Sequence, residues 1–78
     1  ATVSPLTKDL WILSAINHLI VVTDDKGVFK EAFHLDQSRF TQPEGIAFTP
    51  TGDLLISNEA GNKYNRATLF IFKQRKNI

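Results

Sequence analysis

Apolar and polar positions along the 78 residues fall into short runs of strand length, separated by turn residues, and no apolar set recurs at helical spacing. Leu10 to Ser14 opens with four consecutive apolar residues, Leu10 and Ile12 on one face and Trp11 and Leu13 on the other, which predicts a strand buried on both. After the short connection Ala15 to His18, Leu19-Ile20-Val21-Val22 is rich in β-branched residues and predicts the next strand. Val28 to Leu35 mixes Phe29, Phe33 and Leu35 with Lys30, Glu31 and His34, as an outer, partly wet strand would. Ile46 to Phe48, Leu54 to Ser57 and Leu69 to Phe72 follow, and Ala1 to Val3 reads as the end of a strand. The pattern therefore predicts seven strands, each antiparallel to its sequence neighbour, with Trp11 and Phe48 well buried.

Turn chemistry lies where the pattern needs it. Asp24-Asp25-Lys26-Gly27 suits a tight turn with Gly27 at positive φ, and Pro50-Thr51-Gly52-Asp53 joins two strands into a hairpin introduced by Pro43 and Gly45. That hairpin has a degenerate earlier copy. Thr2-Val3-Ser4-Pro5 aligns with Ala47-Phe48-Thr49-Pro50, and Asp9-Leu10-Trp11-Ile12 aligns with Asp53-Leu54-Leu55-Ile56, the two prolines being 45 positions apart and the two aspartates 44. A repeat of roughly 40 to 45 residues is the period of a four-stranded propeller blade. The fold class is thus all-β: two antiparallel blades of a β-propeller, residues 1–41 and 42–78, the first lacking most of its inner strand and the second its outer one.

Composition changes this picture in two respects. A chain this short buries only about 60% of its unfolded surface and has no cysteine for a disulfide staple, so it is expected to lean on a partner, either the remaining blades of a parent propeller or further copies of itself. Nine basic residues against eight acidic ones produce no field that would draw nucleic acid, and the Lys73 to Lys76 run reads as a solvated end. No run approaches the ~18 apolar residues of a membrane span.

Pro43-Glu44-Gly45-Ile46-Ala47, the Thr51-Gly52-Asp53 turn, Leu54 to Glu59 and the closing Leu69-Phe70-Ile71-Phe72 together resemble the SdiA-regulated family of bacterial β-propellers, itself similar to NHL-repeat propellers and phytase-like esterase domains. The resemblance implies a two-blade, C-terminal portion of a longer protein that is periplasmic, secreted or membrane-anchored, and calcium as a cation it would hold. The first blade departs from the family's pattern, having neither the Glu-Gly lead-in nor an acidic residue at Ala15, so any site belongs to the second.

Blade topology brings Glu44 and Glu59 to one end of the second blade, with Asn58, Asn62, Tyr64, Asn65 and Arg66 nearby. Glu44 and Glu59 are the candidate metal ligands, since paired carboxylates suit a hard cation, and Asn58, Asn62, Tyr64 and Arg66 are the candidate ligand-binding residues. Against this stands a purely structural use of the same carboxylates, capping backbone amides or pairing with Arg66 and Lys63. His18 and His34 lack zinc-site spacing and read as surface or loop histidines. No Ser-His-Asp order, phosphate-cradling glycine loop or paired-histidine motif is present. Three functional classes follow: a binding or scaffold propeller of the bacterial envelope with its ligand at the loop end, a phytase-like or esterase-like hydrolase using the two glutamates, and a self-assembling, lectin-like two-blade protein.

Overall fold

The computed structural model describes residues 1–59 and 67–74. Seven strands follow in order: β1 (Thr2–Val3), β2 (Leu10–Ser14), β3 (Leu19–Thr23), β4 (Phe29–His34), β5 (Pro43–Phe48), β6 (Leu54–Asn58) and β7 (Thr68–Phe72). They form two antiparallel sheets, one in the order β1-β2-β3-β4 and one in the order β5-β6-β7. The chain is all-β, with no helix among the described residues and hence none long and apolar enough to cross a membrane.

The turns explain where the strands stop. Ser4 donates its N–H to the Asp9 carbonyl at 2.9 Å and accepts from the Lys8 N–H at 2.9 Å; Thr49 does the same with Asp53 and Gly52, again at 2.9 Å each. Lys8 and Gly52 occupy the matching left-handed position, at φ 66° and 94°, so the two hairpins are one design written twice. Between β3 and β4 the Asp24 carboxylate accepts from the N–H groups of Lys26 and Val28 at 2.8 and 2.9 Å, with Gly27 at φ 84°. Val28 is used in this turn, which is why β4 begins one residue later than its apolar pattern suggested.

Register then fixes the faces. Trp11 opposes Val22, Leu13 opposes Ile20 and Ile20 opposes Phe33, so these five side chains share one face of the first sheet. Ile46, Ile56 and Phe70 form a row on the second sheet, and Phe48, Leu54 and Phe72 form the next. The two faces meet. Ile20, Val22 and Ile56 are buried between them, together with Phe40 from the connecting segment. Trp11 stacks on Phe33 at 5.6 Å within its own sheet and meets Phe48 edge-on at 5.3 Å across the interface.

The sheets are not parallel plates. β5 comes close to β1 and β2, whereas β3 and β4 approach neither β6 nor β7 with their backbones. Phe40 fills the widening gap, its ring 4.4 Å from Phe70 and 6.3 Å from Phe72. A turn closed by Asp36 sets it there: the Asp36 carboxylate accepts from the Ser38 N–H and hydroxyl at 2.9 and 2.7 Å, and the Asp36 carbonyl accepts from Phe40 N–H at 2.8 Å. An apolar cleft of about 320 Å³ remains in the gap, lined by Trp11, Phe33, Leu35, Phe40 and Phe72 among others.

Two expectations are corrected. Trp11 and Phe48 are half-buried rather than well buried, because both border an open cleft beside the Ser4 and Gly52 turns. Leu10 to Ser14 is covered on one face only: Ile12, on the other, is 37% exposed, since nothing in the described chain packs behind the first sheet. His18 is a loop residue as expected, half-buried, with both ring nitrogens covered and neither hydrogen-bonded among the described residues.

Candidate functional site

The start of β5 and the end of β6 make the most specific local geometry in the chain. Pro43 opposes Asn58 while Gly45 opposes Ser57, so Glu44 is the extra residue of a β-bulge. Sequence accounts for it. Pro43 has no N–H to give and is tolerated at a strand's first residue. Gly45 is needed for close approach, because a Cβ there would lie 2.8 Å from the Ser57 hydroxyl oxygen. Between them Glu44 is displaced from the ladder and its side chain is exposed.

A set of hydrogen bonds ties the lead-in of β5 to the end of β6. Asn58, 6% exposed, accepts from the Gln42 N–H through Oδ1 at 2.9 Å and donates through Nδ2 to Thr41 Oγ1 at 3.4 Å. Glu59 donates its N–H to the Gln42 carbonyl at 2.8 Å, and Thr41 Oγ1 donates to the Glu59 carbonyl at 3.4 Å. The result places Glu44 and Glu59 side by side at the open end of the hairpin, near enough for their carboxyl groups to interact. Hydrogen bonding with Glu59, then its negative charge, then desolvation, raise the Glu44 pKa above the ordinary glutamate value. Two carboxyl groups so placed share a proton, or exchange it for a cation.

Of the residues singled out from sequence, Glu44 and Glu59 are therefore adjacent. Asn58 stands beside them, but its amide holds Gln42 and Thr41, making it a positioning residue in this arrangement. Asn62, Tyr64, Asn65 and Arg66 lie outside the described residues. Among the described residues no third His, Cys, Asp or Glu joins the pair. Two carboxylates fit as part of a calcium shell, which takes 6 to 8 oxygens, the rest of which water or other parts of the molecule would supply. Sequence reasoning missed Thr41, Gln42 and the Gly45–Ser57 contact. The Pro-Glu-Gly triplet was the signal, a residue unable to donate followed by one without a Cβ.

The other aspartates have structural work. Asp9, 12% exposed at its side chain, pairs with Lys30 at 2.7 Å, and the hydrogen bond from Lys30 lowers its pKa. Asp53 accepts from the Gln74 N–H at 3.0 Å and pairs with Lys73 at 3.3 Å, which lower its pKa in that order. Asp36 is lowered by the hydroxyl and N–H of Ser38.

Compared with known proteins, the chain matches no family model, no curated protein and no solved structure. Its function has to be argued from the geometry.

Proposed function

We propose that the chain is a sector of a ligand-binding β-propeller of the bacterial envelope, whose loop end holds a hard cation, calcium by preference, at Glu44 and Glu59. The propeller part of this reading is supported by sequential antiparallel sheets stacked face to face, close at β1, β2 and β5 and splayed beyond, as blades around an axis are. It is also supported by the sequence resemblance to SdiA-regulated propellers. The observation that carries the site is the meeting of the Glu44 and Glu59 carboxyls at the bulge. Bulges re-aim side chains next to functional sites, and a pair of carboxylates in contact is relieved of repulsion by a bound cation. A cation there would also offer open positions to a carboxylate or phosphate of a larger ligand.

Calorimetric titration of calcium into the wild type, Glu44→Gln and Glu59→Gln tests the site. Binding heat in the wild type that weakens in both variants, with an unchanged circular dichroism spectrum, is the expected result. Equal heats for all three proteins would remove the glutamates from any cation site.

The raised pKa of Glu44 at its place beside Glu59 favours a second reading, a hydrolase in which Glu44 would serve as acid and Glu59 as base. Turnover of a chromogenic phosphate or ester substrate, lost in both variants, would favour that reading over simple binding.

A further inference from the structure

The two sheets repeat one another, yet they do not pack through equivalent faces. Superposing the hairpins closed at Asp9 and Asp53 matches Val3 with Phe48, Leu10 with Leu54, Trp11 with Leu55 and Ile12 with Ile56, each pair holding the same ladder position. Continuing through β3 and β7 matches Ile20 with Leu69 and Val22 with Ile71. In the first sheet the buried face carries Trp11, Ile20 and Val22; in the second it carries Leu54 and Ile56, the counterparts of Leu10 and Ile12. The front of one sheet therefore lies on the back of the next.

The exposed faces follow the same rule. Leu69 and Ile71, 56% and 55% exposed on the bare front of the second sheet, occupy the positions of Ile20 and Val22, which are 2% and 1% exposed. Ile12, 37% exposed on the bare back of the first sheet, occupies the position of Ile56 at 1%, and Val3, 53% exposed beside it, matches half-buried Phe48. Neither bare face has an Asp, Glu, Lys or Arg among its ladder-paired residues. The front of the second sheet presents Gly45, Ala47, Leu55, Ser57, Leu69 and Ile71. Ladder partners place Val3, Leu10, Ile12, Val21, Phe29 and Ala32 together on the back of the first, with Ser14 and His34 at one end of it and Thr23 between Leu10 and Phe29. A mainly apolar surface of this kind on a sheet marks an interaction face.

We propose that a second copy of this chain covers each bare face, the Leu69 and Ile71 front of one copy seating on the Val3 and Ile12 back of the next, in the manner of the sheet–sheet contact already inside the chain. The contact is heterologous, so copies add head to tail and either close into a ring or extend. This rests on the propeller reading only for its closure and is independent of the cation site, so sedimentation and calcium titration fail separately.

The test is sedimentation of the wild type, Ile12→Lys and Ile71→Lys across micromolar concentrations, with circular dichroism to verify that each variant is folded. The wild type is expected to form concentration-dependent assemblies, two copies closing a four-blade ring or more copies extending it. Each variant alone should be monomeric, having lost one face. Mixing the two should restore a dimer, because the intact front of Ile12→Lys meets the intact back of Ile71→Lys. A monomeric wild type would overturn the proposal, as would a mixture of folded variants that stays monomeric.

Discussion

Replacing Asn58 with alanine removes the acceptor of the Gln42 N–H and leaves the remaining ties between the β5 lead-in and β6 weaker. The lost bond is short, 2.9 Å, and its acceptor side chain belongs to a residue only 6% exposed. A donor stranded in this way costs about 1 to 3 kcal/mol, and since the bond is only partly shielded from water the lower half of that range applies, about 1.5 kcal/mol. The second bond, from Asn58 to Thr41 at 3.4 Å, is at the long limit of a hydrogen bond and adds little. For a domain of this size about 1.5 kcal/mol lowers the melting temperature by roughly 6 to 12 °C. Thr41→Val, which removes both 3.4 Å contacts of that hydroxyl, is the control and should cost under about 0.5 kcal/mol. The functional consequence is read separately. With the lead-in released, Glu44 and Glu59 separate, and the Glu44 pKa should fall back toward the ordinary glutamate range in a carboxyl-carbon NMR titration. If Asn58→Ala melts earlier but Glu44 titrates as in the wild type, then Asn58 supports the fold and not the pair, and the argument for it as a positioning residue fails.

Stability should depend on pH in two opposed ways. Glu44 is raised in the folded state, so its contribution is fully present below the unfolded glutamate value of about 4.3 and is lost as pH rises through its folded value. Asp9, Asp36 and Asp53 are lowered, so theirs is present above the unfolded aspartate value of about 3.9 and is lost as pH falls through their folded values. Glu44→Gln should therefore raise the urea midpoint at neutral pH and leave it unchanged below about pH 4; a lower midpoint at neutral pH would mean that Glu44 stabilises through some contact other than its pairing with Glu59. At the bulge, Gly45→Ala places a Cβ against the Ser57 hydroxyl and should cost about 1 kcal/mol, most of it recovered when Ser57→Ala is added. Additive costs in that double-mutant cycle would locate the requirement for glycine in the backbone instead.

Much of the fold was legible because it is local. Asp24 before Gly27, and Gly52 before Asp53, specify turns through their own backbone demands, and runs such as Leu19 to Val22 carry strand preference in their side chains. The approach of Glu44 to Glu59 was legible too, since a hairpin turning at Pro50 to Asp53 returns its ends to one another whatever surrounds it. Lys8 gave no warning of its left-handed backbone, which the repeat with Gly52 discloses only after the two turns are superposed. The sequence also showed that Leu10 to Ser14 is apolar on both faces, but not which face finds cover within the chain. That was decided by the contact between sheets, which buries Ile20 and Val22 and leaves Ile12 in the open. Phe40 is the clearest tertiary case. It stands alone in a polar connection with no period to announce it, and it is 4% exposed because two splayed sheets leave a gap that one aromatic ring fills. Strand and turn preferences reside in neighbouring residues; the covering of a face depends on what another sheet brings to it.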